Sequence, residues 1–297
     1  MKSCKDNIKQ CIVDECGMCM ELESLLPIAF LAPQQVVLIG DHKQLQPVIH
    51  DKKAQNLGLQ VSMFERLSGQ AKMLQLQYRM HEELCKFPSE YFYNNQLETD
   101  SLVKEKGTAL QSFWPVANVP MAFCHVVGEE EITVIKTALS NEQSKANVKE
   151  VRKAVHVAKC LIKNRGVSSS KIAILSPYKE QQARIRKALA ETSQCKDICV
   201  TTIAKSQGTE WNYVILSLVR SLSDDDLDAE PSMYWVREHL GFLADEHLMN
   251  VGLTRACKGL CIIGNKNLLK HHSMWKDLIE SFEKRHCVVN ESTWPKN

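Results

Sequence analysis

Five short strings hold the residues best suited to chemistry. Asp14 and Glu15 close an apolar stretch, Gln10–Val13, that reads as a strand, so both carboxylates fall at its carboxyl end. In open α/β sheets that edge is where ligands bind. Two adjacent acids suit nucleotide hydrolysis, one holding Mg²⁺ and the other orienting or deprotonating water. Taken alone, the pair is also what any solvated strand end offers. The string GDHKQLQP, residues 40–47, follows a second apolar run, Val36–Ile39, at the same expected edge. Its Gly-Asp turn exposes backbone, and Gln44 can reach a terminal phosphate or the water attacking it. The competing reading is a turn with ordinary polar residues; the length of the string favours function.

Three further strings add complementary groups. Within QYRMH, residues 77–81, Tyr78 can stack on a base while Arg79 meets charge developing on a transferred phosphoryl group. In SQGTE, residues 206–210, Gly208 permits close backbone approach and Glu210 can bond a sugar hydroxyl. In VGLTRA, residues 251–256, Arg255 is placed like an arginine finger supplied within the same chain. The alternative for Arg255 is a helix-end guanidinium binding carbonyls.

The elements that must position these groups alternate between strand-like and helix-like, which implies α/β layering with parallel sheets. After the strand at 10–13 come a helix near Glu21–Leu31, the strand at 36–39, a helix over Val61–Leu67 and a short strand at Met73–Leu76. Residues 82–120 carry Pro88, Pro115 and Pro120 with no clear period, and read as a connector. Beyond it, Val148, Val151, Val155, Ala158 and Ile162 fall at helical spacing, with Gly166 as a stop. Strands follow at Lys171–Leu175, Ile198–Thr202, Val214–Val219 and Leu260–Gly264, with a helix at Lys179–Ala190. The acidic run Asp224–Asp226 reads as a solvated loop.

Bulk properties narrow the class. At 297 residues and 44% hydrophobic, the chain can build one large core or two ordinary ones. A formal charge of +2 gives no polycationic case for nucleic acid, so any such binding must come from local grooves. The 12 cysteines include one CxxC, Cys16 and Cys19, without a partner motif at zinc spacing. Free thiols in a reducing compartment, cytoplasmic or nuclear, are therefore expected. Residues 1–10 lack the apolar core of a signal peptide, and no apolar run approaches membrane-spanning length.

In order, DECG, GDHKQLQP, QYRMH, SQGTEW and VGLTRA resemble motifs II, III, IV, V and VI of superfamily 1 helicases, most closely the Upf1-like branch that includes helicases with zinc fingers. The resemblance covers about residues 10 to 270. It implies a RecA-like P-loop NTPase fold of class α/β, with one truncated and one complete parallel-sheet domain. Residues 1–81 would form a partial first domain, 82–120 the connector, and 121–297 the second domain with a C-terminal helix. It further implies ATP and Mg²⁺ as cofactors, single-stranded RNA or DNA as partner, and no membrane. On this resemblance Asp14 holds Mg²⁺, Glu15 activates water, Gln44 senses the γ-phosphate, and Arg79 and Arg255 contact it. Tyr78 packs near the adenine, with Gly208 and Glu210 at the ribose. Ser176, Pro177 and Tyr178 match the family's nucleic-acid-facing TPY segment with Ser for Thr, and Thr202 joins them on the strand backbone.

One family feature is missing. None of the 12 glycines begins the Walker A pattern G-x-x-x-x-G-K-[ST], and Asp14 has only 13 residues before it. Backbone amides and the Lys of that loop supply much of phosphate binding. The expectation is weak nucleotide affinity and negligible hydrolysis by this chain alone, with an exposed sheet edge that invites aggregation. Two readings follow: part of an ATP-dependent helicase, or a non-catalytic nucleic-acid or protein binding module derived from one.

Overall fold

A computed structural model of the protein describes residues 8–105, 110, 112–136 and 141–295. Two compact units make up the chain, residues 1–74 and residues 75–297.

The first unit contains β1 (Gln10–Val13), α1 (Glu21–Leu31), β2 (Gln35–Leu38), α2 (Lys52–Asn56) and α3 (Met63–Arg66). β1 and β2 pair in parallel, with Val13 opposite Leu38. α1 begins where the Glu23 carboxylate accepts from the Met20 amide at 2.9 Å, and it ends on Ala32 in the left-handed region. The helix expected over 61–67 is the shorter α3, set by Ser62, whose hydroxyl accepts from the Glu65 amide at 3.0 Å. Glu21 and Arg66 pair across α1 and α3, and the guanidinium holds the Glu21 carboxyl below its usual range. Few side chains here are buried, Cys16, Ser24 and Met63 among them.

The second unit opens with β3 (Leu76–Gln77), α4 (Glu82–Phe92), β4 (Glu98–Thr99), α5 (Ser101–Glu105) and β5 (Met121–His125). It continues with the hairpin β6 (Glu131–Lys136) and β7 (Asn141–Ala146), then α6 (Val148–Arg165), β8 (Ile172–Leu175), α7 (Lys179–Ala190), β9 (Cys199–Thr201) and β10 (Trp211–Ser217). α8 (Met233–Leu240), α9 (Glu246–Leu253), β11 (Ala256–Gly264), α10 (Lys266–Leu269), α11 (Ser273–Lys284) and β12 (Val288–Asn290) complete it. Six strands form one parallel sheet in the order β12-β5-β11-β10-β8-β9. Its central strands read as unbroken apolar runs because helices cover both faces: Ile172–Leu175 and Tyr213–Leu216 are buried at every position. α6 lays Val151, Val155 and Ala158 into the core. Asn147 caps its start, and Gly166, left-handed at φ 66°, ends it.

Besides the shorter α3, and β3 at Leu76–Gln77 where a strand was expected at 73–76, the structure departs from the sequence reading in four larger ways. The units divide between Leu74 and Gln75, so QYRMH goes with the second unit rather than closing the first at residue 81. Residues 82–120 are no bare connector: α4 is a helix that buries Leu84, Cys85, Phe87 and Phe92, and it tolerates Pro88 in its interior. A proline there removes one hydrogen bond to the Leu84 carbonyl, a loss that the buried apolar face offsets. β10 stops at Ser217 instead of Val219, because Val219 takes a left-handed backbone at φ 75°. After the expected C-terminal helix, α11, the chain returns as β12 to pair with β5 at the sheet's edge. The described cysteines are free thiols, most of them buried. Among the described residues no helix is long and apolar enough to cross a membrane.

Candidate functional site

In the first unit the two strand ends carry the expected residues to one edge. Parallel pairing of Val13 with Leu38 puts Asp14 and the 40–47 string side by side. The Cys16 amide donates to the Ile39 carbonyl at 2.9 Å, which sews the two loops together. A Cβ on Gly40 would lie 2.8 Å from the Gly17 amide nitrogen, and one on Gly17 would lie 2.8 Å from the Asp41 carbonyl oxygen. Only glycine allows that approach of backbone to backbone. Glu15 follows with φ 51°, in the left-handed region. Asp14 and Glu15 are both exposed, and Asp14 Oδ1 accepts from the Glu15 amide at 2.9 Å. Gln44 is oriented by Asp41, whose Oδ2 accepts from Gln44 Nε2 at 2.8 Å and whose Oδ1 accepts from the Lys43 amide at 2.9 Å. The sequence reading named Gln44 without its orienting carboxylate, although Asp41 stands in the same string.

In the second unit the nucleotide candidates gather at the amino edge of the sheet, the end opposite the one expected to bind ligands. Glu210 and Arg255 immediately precede the paired strand starts Trp211 and Ala256. Arg79 Nε donates to Glu210 Oε2 at 2.7 Å, and its NH1 donates to the Thr254 carbonyl at 3.4 Å. His81 anchors the same segment, its amide donating to the Cys257 carbonyl at 2.8 Å. The Cys257 thiol is pushed up to about 11, by burial first and then by the neighbouring Glu210 carboxylate. Tyr78 is 64% exposed, and Gly208, left-handed at φ 75°, has open space where a Cβ would point.

Arg255 is the surprise. Only 1% exposed, it donates from Nε to the Val251 carbonyl at 2.9 Å, from NH1 to the Thr209 carbonyl at 3.2 Å and from NH2 to Thr254 Oγ1 at 2.9 Å. These bonds have the geometry of the carbonyl-binding alternative. A buried guanidinium needs such acceptors to offset its desolvation.

Thr202 and Glu210 lie at opposite edges because the β9–β10 connection runs from the carboxyl end of one strand to the amino end of the next. At the carboxyl edge, Thr202 Oγ1 accepts from the Lys205 amide at 3.1 Å. Ser176 and Tyr178 do not present their side chains to solvent there. Both are buried, with the Tyr178 ring set edge-on to Phe242 at 5.6 Å. Burial raises the Tyr178 phenol, and Arg220 beside it opposes the shift. Pro177 stays half-buried at the edge.

Beneath this edge lies a carboxylate that the sequence reading missed. Glu150 is fully buried, and its Oε2 accepts from Ser217 Oγ at 2.8 Å and from the Val219 amide at 2.9 Å. Desolvation pushes its carboxyl up to about 8. Its position, third in an amphipathic helix, gave a sequence reader only an ordinary first-turn acid.

Parallel α/β layering and this series of motifs place the chain in the helicase class of α/β folds. Family models described as an AAA domain match residues 59–267 and residues 1–52, and the chain belongs to that family, in the Upf1-like branch of superfamily 1 helicases. It is 41% identical over 284 residues to "3'-5' exoribonuclease HELZ2" of Homo sapiens, covering 95% of this chain and 10% of that protein. It is 37% identical over 292 residues to "Regulator of nonsense transcripts 1 homolog" of Arabidopsis thaliana, covering 95% and 22%. With "ATP-dependent helicase NAM7" of Saccharomyces cerevisiae the identity is 33% over 287 residues, covering 94% and 27%. The chain thus spans between a tenth and about a quarter of the length of these relatives.

Proposed function

We propose that this chain supplies the post-Walker part of an ATP-driven motor that moves along single-stranded RNA or DNA. The observation that carries the reading is the Arg79–Glu210 pair. Two residues singled out for phosphate and ribose, far apart in sequence, meet at 2.7 Å at one sheet edge. Asp14 suits Mg²⁺, which keeps several waters and needs only one or two protein carboxylates beside the nucleotide phosphates. Among the described residues no cluster of three metal-ligating groups competes for that role. When bound, the ion would neutralise phosphate charge. Glu15 would take the proton of the attacking water, and Gln44, aimed by Asp41, would sense the terminal phosphate. Exposed Tyr78 offers a face to adenine, and the space over Gly208 leaves room for the sugar that Glu210 holds. Arg79 takes the γ-phosphate; Arg255 is assigned to the same phosphate only if it exchanges its carbonyl partners. On the nucleic-acid side, Pro177 and Thr202 lie at the carboxyl edge, while Ser176 and Tyr178 are buried and their amides already donate to the Thr201 carbonyl and to Ser176 Oγ.

The test is titration of the chain with the Mg²⁺ complex of a non-hydrolysable ATP analogue, which keeps the γ-phosphate, followed by calorimetry, for the wild type and Arg79→Ala. Loss of about ten-fold or more in affinity is expected, the scale of one charge-assisted contact. Equal affinity in the two proteins would remove Arg79 from the site. Binding of single-stranded RNA without any binding of the ATP analogue would favour the non-catalytic module.

A further inference from the structure

A ring of hydrogen bonds, closed through the Thr209–Glu210 peptide and through Thr254, joins Arg79 to Arg255. Arg79 Nε holds the Glu210 carboxylate at 2.7 Å. The residue before it, Thr209, gives its carbonyl to Arg255 NH1 at 3.2 Å. Arg255 NH2 in turn donates to Thr254 Oγ1 at 2.9 Å, and the Thr254 carbonyl accepts from Arg79 NH1 at 3.4 Å. Thr254 is the one residue in the ring that meets both guanidinium groups. Its hydroxyl has the Asn250 carbonyl at 2.8 Å and the Val251 carbonyl at 3.2 Å as acceptors for its single proton, and itself accepts from Arg255 NH2. Thr254 is 6% exposed, so water does not compete for these bonds as it would at the surface.

We infer that Thr254 is a positioning residue that couples Arg79 to Arg255, so that the orientation of the phosphate-facing arginine is set by the buried one. The inference rests on the nucleotide reading of this edge for its functional meaning. Its geometry stands without a ligand. The members differ in burial in the way such a device needs. Arg255 is sealed inside, while Arg79 is 35% and Glu210 54% exposed at the side chain. An exposed ion pair contributes little by itself, so a ligand phosphate can displace Glu210 at small cost. The displacement would then reach Arg255 through the Thr209 carbonyl and through Thr254, whose carbonyl meets Arg79 and whose hydroxyl meets Arg255, and a shift of Arg255 would reach Arg79 by the same path.

The experiment uses the whole chain labelled with ¹⁵N-arginine. The Arg79 Nε–H signal is assigned by its loss in Arg79→Lys, and its hydrogen exchange is measured without nucleotide. Slow exchange is expected in the wild type. Thr254→Val, which keeps the shape and the carbonyl but removes the hydroxyl, should speed that exchange about ten-fold, and Thr254→Ser should restore the wild-type rate. Melting temperatures of the two variants separate a local effect from general loosening. Wild-type exchange in Thr254→Val overturns the coupling, as does Thr254→Ser behaving like Thr254→Val. Unprotected Arg79 in the wild type overturns it as well, since the ring would then not form. The titration with the Mg²⁺–ATP analogue is a separate arm. Protection that follows the hydroxyl without binding of the analogue keeps the coupling and sinks the nucleotide reading. Binding of the analogue with no dependence on the hydroxyl does the reverse.

Discussion

The two units handle apolar surface in opposite ways. In residues 75–297 the six-stranded sheet is wrapped on both faces, and Phe123, Leu161, Ile174, Ile215 and Trp275 are sealed from solvent. In residues 1–74 two strands and short helices leave Leu26 69% and Phe30 56% exposed, with Ile12 and Ile39 also in solvent. Hydrophobic stabilisation scales with area removed from water, and a pair of strands has little area to remove. The first unit is nevertheless tightly built where chemistry is expected, since Gly17 and Gly40 bring their loops into backbone contact. Precision at a site and size of core are thus separate properties of this molecule.

The largest expected effect tests the contrast in core size. Leu161→Ala should cost about 2–5 kcal/mol in urea denaturation, as buried leucines do. Leu26→Ala should cost less than about 0.5 kcal/mol. A cost at Leu26 comparable to that at Leu161 would mean that its face is covered in solution, and the comparison would break.

Glycine substitutions sharpen the contrast between core and site. Gly259→Ala drives a Cβ into the Trp114 ring in the second unit, and about 1–3 kcal/mol of overpacking cost is expected. Gly40→Ala meets backbone that cannot rotate away, so a similar cost should appear in the first unit despite its small core. Amide exchange at Cys16, bonded to the Ile39 carbonyl, reads this directly. Unchanged exchange in Gly40→Ala would show that the loops do not need their close approach.

The smallest effect is a pH dependence confined to the second unit. Glu150 has a folded value of about 8 against 4.5 for the ordinary carboxyl, so the folded state binds the extra proton. Stability therefore falls as pH rises from the unfolded value through about 8, and levels off above it. Between pH 7 and pH 8 the loss is on the order of 1 kcal/mol. Glu150→Gln should flatten that slope, as read by denaturation at the two pH values. An unchanged slope would mean that Glu150 does not titrate there.

Much of the fold was legible because its signals are local. α6 and α7 lie where the sequence placed them; in α6 a cap, a 3.6-residue period and a stop glycine are written within a few residues. α4 was not legible: Pro88 argues against a helix, and only the buried face formed by Leu84, Phe87 and Phe92 reverses that argument. β12 was invisible for a related reason. Three residues at a sheet edge carry no period, and their strand exists because β5 offers a partner.

At the site the same division holds. The sequence alone determined which residue types are available, the order of their motifs, and the carboxyl-edge placement of Asp14 and Gln44, because a strand followed by a polar turn specifies all of these locally. Only the tertiary structure decided that Arg79 pairs with Glu210 at the amino edge, that Arg255 turns inward to carbonyls, and that Ser176 and Tyr178 are buried. Side-chain direction and partner choice depend on contacts between residues far apart in the chain, and burial then decides whether a charge meets ligand, carbonyl or water.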